Sequence, residues 1–192
     1  MAYTLRDFVA DLRTHLRRDV SDTVRLDAGA NALRRLLANP DALAPYSWVL
    51  DQGRGPWLLY QDPEFGFVVT LLRKQRANTT QVHHHGEAWT LYGIFEGEEI
   101  VHRYTRRDAG DRPDHADVAR VIDHVRHAGD VEIEPPFAIH NETTSAERDT
   151  IAIAVRGRDL STIHQEWFDL ERGTVRSGPG STATPIPVRP DA

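Results

Sequence analysis

Three consecutive histidines, His83, His84 and His85, stand just before Gly86. Side chains alternate along a strand, so His83 and His85 share one face and His84 takes the other. Two neutral imidazoles at that spacing can ligate one metal ion, and a further donor must come from elsewhere in the chain. His140 is the candidate. It lies in GDVEIEPPFAIHNETT, a turn-strand-turn segment opened by Gly129-Asp130 and bent by Pro135-Pro136. The chain has 10 His and no Cys. Disulfides, thiolate ligands and a cysteine nucleophile are therefore excluded, and a transition metal must be held by imidazole and carboxylate. Lys74 is the only lysine. A Schiff-base mechanism has that one candidate, and its sequence neighbours give no sign of a buried, activated amine.

The elements that must position these histidines are legible in outline. Leu5, Phe8, Val9, Leu12 and Leu16 recur at helical steps, and Thr4 with Asp7 supplies an N-cap pairing. A second helix is predicted from Asp22 to Leu37, ending before Asn39-Pro40, with a third short one around 41–44. From Trp57 the pattern turns to short aromatic and β-branched runs. These are Trp57–Tyr60, Phe65–Leu72, Trp89–Phe95, Glu98–Tyr104, Val118–Val125 (strand or short helix), Val131–Ile133, Ile151–Val155 and Trp167–Leu170. Residues 106–117 read as a polar loop. About eight strands with turns between them predict a barrel or sandwich.

The bounds are those of one small domain of 192 residues with net charge −6. The expected layout is a helical part over about 4–44 and a barrel over about 57–172. Residues 1–176 then form one domain, and a Pro/Gly/Ser-rich tail over 177–192 is extended or disordered. An acidic chain is a poor nucleic-acid binder, and no apolar run is long enough to span a membrane. The opening MAYTLRDFVADLR has no apolar signal core, so a cytoplasmic protein is expected, as a monomer or small homo-oligomer.

The histidine segments resemble the two motifs of the cupin family, G-x5-H-x-H-x3,4-E-x6-G and G-x5-P-x-G-x2-H-x3-N. His83, His85 and Gly97 fit the first; Ala77 stands at its opening glycine and Thr90 at its Glu. Gly129, Pro135 and His140 fit the second; Phe137 replaces its second glycine and Thr144 its asparagine. The resemblance implies a mainly β cupin barrel (double-stranded β-helix, jelly-roll) with N-terminal α-helices. It implies His83, His85 and His140 as metal ligands. A three-His centre without the Glu resembles the thiol dioxygenases, cysteine dioxygenase and 3-mercaptopropionate dioxygenase. HHHGEAWTLYGIFEGEEIVHRY, WLLYQDPEFGFVVTLL, IAIAVRGRDL and WFDLERGTVR are similar to stretches of that family, over about residues 5–176. That likeness implies Fe(II), with O2 as co-substrate and a small-molecule thiol converted to its sulfinic acid. Imidazole ligation also suits other divalent metals.

The departures shape the expected substrate. The family's Ser-His-Tyr triad falls on Ala152, Ala154 and Arg156. Its carboxylate-gripping arginine falls on Pro56. The cysteine of its thioether crosslink falls on Thr90. Residues 152, 154 and 156 share one strand face. Two alanines there open volume, and Arg156 adds a fixed positive donor fork. Cysteine itself is then disfavoured, and a bulkier thiol or thione bearing a carboxylate, such as an ergothioneine-like imidazole thiol, is expected. Tyr92, Thr90 and Arg156 are the expected substrate-binding residues, with Tyr92 and Arg156 the catalytic ones, on the premise that 89–95 continues the metal strand. The alternatives are a metal-dependent cupin of another reaction type (isomerase, decarboxylase or C–C dioxygenase) and a non-catalytic metal-binding cupin.

Overall fold

The structure, a computed structural model, describes residues 2–186. Two helices precede the barrel. In α1 (Leu5–Leu16), Thr4 Oγ1 accepts from the Asp7 amide, and the Asp7 carboxylate accepts from the Thr4 amide. This reciprocal pairing satisfies two amides that a helix start leaves unbonded. α2 (Asp22–Leu37) starts at Ser21, which caps the Val24 amide. The third helix lies downstream of its expected place: 40–43 is a turn, and α3 spans Ser47–Leu50. Pro45 lies in a short 3-10 helix, Ala44–Tyr46, that leads directly into α3.

Twelve strands follow among the described residues. They are β1 (Trp57–Gln61), β2 (Val68–Lys74), β3 (Val82–His84), β4 (Thr90–Glu96), β5 (Glu98–Arg106) and β6 (Val118–His127). The chain continues through β7 (Val131–Glu134), β8 (Ile139–Thr144), β9 (Thr150–Arg156), β10 (His164–Asp169), β11 (Thr174–Pro179) and β12 (Thr184–Pro185). They form two six-stranded sheets. Sheet A runs β12-β1-β2-β9-β4-β7 and sheet B runs β11-β10-β3-β8-β5-β6. The two sheets form a double-stranded β-helix barrel, with N-terminal helices outside it. Residues 118–127 resolve as strand. β3 and β4 lie in different sheets, so the metal strand does not continue into 89–95; the chain crosses over at Gly86. Gly86 has φ +56°, and a side chain there would collide with the His164 carbonyl, so only glycine fits this crossing.

The apolar core is not inside the barrel. It lies between the helices and the outer face of sheet A, where Phe8, Leu12, Leu33 and Leu36 meet Val69, Leu71, Leu91, Ile153 and Val155. Gly93 lets α2 approach the sheet: a Cβ there would stand 2.8 Å from Leu37 Cδ1. Because the odd residues of β4 and β9 face the helices, the even ones (Thr90, Tyr92, Ala152, Ala154, Arg156) face the barrel interior.

Beyond residue 176 the chain contributes a strand to each sheet. β11 pairs with β10, and β12 pairs in parallel with β1. Between them the Gly180 amide donates to the Leu160 carbonyl, and Ser181 borders the interior cavity. The tail expectation thus meets placed strand as far as Pro185, and its last part, 187–192, lies outside the described residues. No described helix is long and apolar enough to cross a membrane.

Candidate metal centre

The register of β3 against β8 sets His83 directly opposite His140, and His85 follows at the strand end. The three rings gather with centroids 4.6–5.1 Å apart, and one nitrogen from each lies within 4.8 Å of the others. His84 takes the opposite face. Its Nε2 pairs with Glu166 at 3.0 Å, and its Nδ1 accepts from the Gly86 amide.

The rings are oriented for ligation. Nδ1 of His83 donates to the Gln81 carbonyl at 2.8 Å, and Nδ1 of His140 to the Ala138 carbonyl at 2.9 Å. Each bond fixes the tautomer that leaves the Nε2 lone pair free, the usual arrangement behind a ligating histidine. Nε2 of His140 and Nδ1 of His85 are buried without a hydrogen-bond partner. Burial, with the nearby charge of His140, pushes His83 down to about 4. Burial and the Arg156 charge hold His85 well below the ordinary histidine range. Convergent imidazoles with unsatisfied buried nitrogens fit a divalent transition ion.

The histidines open onto a cavity of about 310 Å³ inside the barrel. Its walls are Leu72, Leu160 and Trp167 on the apolar side, with Lys74, Glu134, Glu142, Arg156 and Gln165 among the polar groups. Arg156 is half-buried, and desolvation of its guanidinium lowers its affinity for a proton despite the opposing charges of Glu134 and Glu142. Its Nη1 donates to Thr70 Oγ1 at 3.2 Å, and its Nε has no partner. Gln165 Oε1 is also buried and unpartnered.

Behind the cavity lies a buried charge network. Lys74 Nζ is 3.1 Å from Glu99 and 3.6 Å from Glu142. Arg126 meets Glu99 at 3.1 Å and Glu132 at 3.0 Å, and Arg103 pairs with Glu132. Lys74 and Arg126 both lie against the Tyr92 ring, at 4.6 and 4.5 Å from its centroid. Burial works against the Lys74 ammonium, but Glu142, Tyr92 and Glu99 outweigh it and raise its pKa. Burial likewise opposes the Glu142 charge, yet Lys74, His140, His83 and Arg126 hold that carboxyl well below its usual range.

Several expectations change here. Lys74 is buried in the site, but as a fully charged ammonium, so it is no Schiff-base nucleophile. Tyr92 borders the cavity with its ring, while its hydroxyl is engaged, donating to Glu99 at 3.1 Å. Burial raises its pKa further. Thr90 faces inward but does not border the cavity; its hydroxyl is buried without a partner. Ala152 and Ala154 do not open volume, because Leu72, Tyr92 and Ile94 pack into the space beside them. His102 and Tyr104 lie on the outer face of sheet B, bonded to Asp123 and Asn141. Glu87 is an exposed loop carboxylate 3.2 Å from Arg158.

Glu134 and Glu142 are the site residues that sequence reasoning missed. Together with His140 they form a second convergent set of donor atoms. Their signal was present in VEIE and HNETT, where charged residues alternate with β-formers in phase with His140.

No family model matches the chain, and no curated protein matches it. Among solved structures, it superposes partly on the DMSP lyases at 17% identity and TM-score 0.35, over 47% of this chain and 37% of that one. An oxalate oxidase in complex with glycolate gives 16% identity and TM-score 0.39, over 48% and 42%. A Klebsiella pneumoniae protein with a double-stranded β-helix domain gives 17% identity and TM-score 0.36, over 52% and 71%. The matched region is thus less than half of the first two proteins' length.

Proposed function

We propose that this protein is a metal-dependent dioxygenase that converts a small thiol bearing a carboxylate to its sulfinate. One observation carries the reading: three convergent imidazoles and a half-buried arginine lie at the same small cavity. The balance is R–S⁻ + O2 → R–SO2⁻. Sulfur gives up four electrons, both oxygen atoms end on sulfur, and no external reductant is needed. A bound Fe(II) ion supplies the charge that stabilises the thiolate and the redox chemistry with O2.

The chain does the rest. His83, His85 and His140 hold the ion. Arg156 takes the carboxylate, presenting a planar fork whose Nε is still free. Gln165 offers an acceptor for an N–H donor, which suits a ring thiol of the imidazole kind. Trp167, Leu160 and Leu72 exclude water from the sulfur. A volume of about 310 Å³ sits at the low end of small-molecule sites, so the substrate is a metabolite-sized molecule.

The test is O2 consumption by the Fe(II)-loaded protein with a panel of carboxylate-bearing thiols, and the product mass. The expected result is uptake with a gain of two oxygen atoms. Tight metal binding without O2 uptake on any thiol would sink the reading. A second reading then gains ground, a cupin enzyme of another reaction type such as an isomerase or lyase. It is favoured by the charged Lys74 and Glu142 on the cavity wall, acid–base groups that sulfur oxygenation does not call for.

A further inference from the structure

The cupin pattern places an acidic ligand where this chain has Thr90. The β4–β7 ladder sets Thr90 directly opposite Glu134. Glu134 is the last residue of β7, 2% exposed, and its carboxylate turns toward the histidines. Oε2 stands 3.5 Å from Nε2 of His140 and 3.9 Å from Nε2 of His85. Oε1 makes no hydrogen bond; the nearest cations, Arg126 and Arg103, are 3.7 and 3.8 Å away.

Glu134 faces His140 without a hydrogen bond. The Nδ1 of His140 bonds the Ala138 carbonyl, so Nε2 is the ring atom turned toward the carboxylate. Both are buried, and their 3.5 Å separation is longer than a hydrogen bond. Donors each about 2.0–2.2 Å from one ion, at tetrahedral or octahedral angles, stand roughly 3–3.5 Å apart. The observed spacing is close to that figure.

Glu142 differs although it is as close to His140. Its Oε2 accepts from Thr80 Oγ1 at 2.8 Å, and Lys74 stands 3.6 Å from the same oxygen. Its Oε1, the oxygen facing His140, stands at the same 3.5 Å, but its carboxylate already takes a hydrogen bond, whereas Glu134 Oε1 takes none.

We propose that Glu134 is the fourth protein ligand of the metal centre. The acidic donor absent from β4 is presented by the paired residue of β7. The inference rests on the metal-centre reading above and deepens it. A three-His, one-carboxylate set leaves two open positions on a six-coordinate ion instead of three. With O2 in one of them, the substrate binds through a single atom, its sulfur. A substrate that must chelate through both sulfur and amine is excluded, and Arg156 rather than the metal takes its carboxylate.

Cobalt(II) alone is the probe, titrated into metal-free protein and followed by visible absorption and by equilibrium affinity. The wild type is expected to bind one ion. Glu134→Gln should weaken binding by a hundredfold or more and change the visible bands. Glu132→Gln, the same charge change two residues earlier on the same strand, should stay within a few-fold of wild type. Wild-type protein that binds no cobalt overturns the metal centre and this ligand with it. Wild-type binding that Glu134→Gln leaves unchanged in affinity and spectrum overturns only the ligand. Circular dichroism checks the fold of each variant. If Glu134→Gln unfolds, Glu134→Asp decides: a tenfold or larger loss in folded protein supports ligation, and wild-type affinity refutes it.

Discussion

On one face of sheet A, Leu91, Ile153 and Val155 pack against Leu33 and Leu36 of α2. On the other face of the same sheet and across the barrel, four cations (Lys74, Arg103, Arg126, Arg156) stand among four carboxylates (Glu99, Glu132, Glu134, Glu142). Burial of one aliphatic side chain contributes about 1.5–3 kcal/mol. A buried ion pair gains little over an apolar pair of the same shape. Stability therefore resides mainly in the helix-to-sheet layer. The barrel interior instead concentrates the charged groups around the cavity.

Breaking the two interiors separately tests that division. The largest effect is expected from Arg126→Leu, which leaves Glu99 and Glu142 to share Lys74 and leaves Glu132 with Arg103. Removing one partner from a buried charge network costs about 3–5 kcal/mol, and a denaturant titration reads it. Leu33→Ala attacks the other layer and should cost about 2–5 kcal/mol. Whatever folded protein remains should bind metal as the wild type does. If its cobalt affinity falls in step with stability, the two interiors are not separable.

His140→Ala should abolish metal binding while leaving the metal-free melting temperature near that of wild type; unchanged metal content would remove His140 from the centre. Arg156→Lys keeps the charge but loses the fork. It should raise KM for a carboxylate-bearing thiol about tenfold, about 1.4 kcal/mol, with a smaller change in kcat. An equal rise for a thiol lacking the carboxylate would show that Arg156 does not bind that group.

The smallest effect concerns backbone. Ala77 and Phe137 stand where the cupin motifs have glycine, and both keep a left-handed backbone, at φ +52° and +61°. A non-glycine residue there costs about 1–2 kcal/mol, and glycine's entropy returns about 0.5–1 kcal/mol of that. Ala77→Gly should therefore stabilise by about 0.5–1 kcal/mol. A loss of stability would mean that the Ala77 side chain contributes packing.

The helices were legible because capping and 3.6-residue periodicity coincide at Thr4–Leu16 and Asp22–Leu37. The histidine trio was legible because H-x-H and the offset to His140 survive in the letters. Lys74, Glu132 and Glu134 were not. Alternation is usually read with polar residues toward water, and in β7 the rule is inverted. Val131 and Ile133 face the helices while Glu132 and Glu134 face a polar interior. The strand expected over 65–72 stopped two residues short of Lys74, which continues the inward phase of Thr70 and Leu72. Thr90 misled for a related reason. Facing inward is not the same as reaching the cavity, and depth along the barrel is invisible in a period of two.

β3 is three residues long and meets β8 at a single registered pair, His83 with His140. So short a ladder opens locally at low cost. A metal ion held from both strands would act as a clip across that seam. At a hundredfold excess over its Kd it raises the opening free energy by about 2.7 kcal/mol. Amide hydrogen exchange at Val82 and His84 thus becomes a gauge of metal occupancy, slowing about a hundredfold when the ion is bound, while the β2–β9 ladder keeps its own rate.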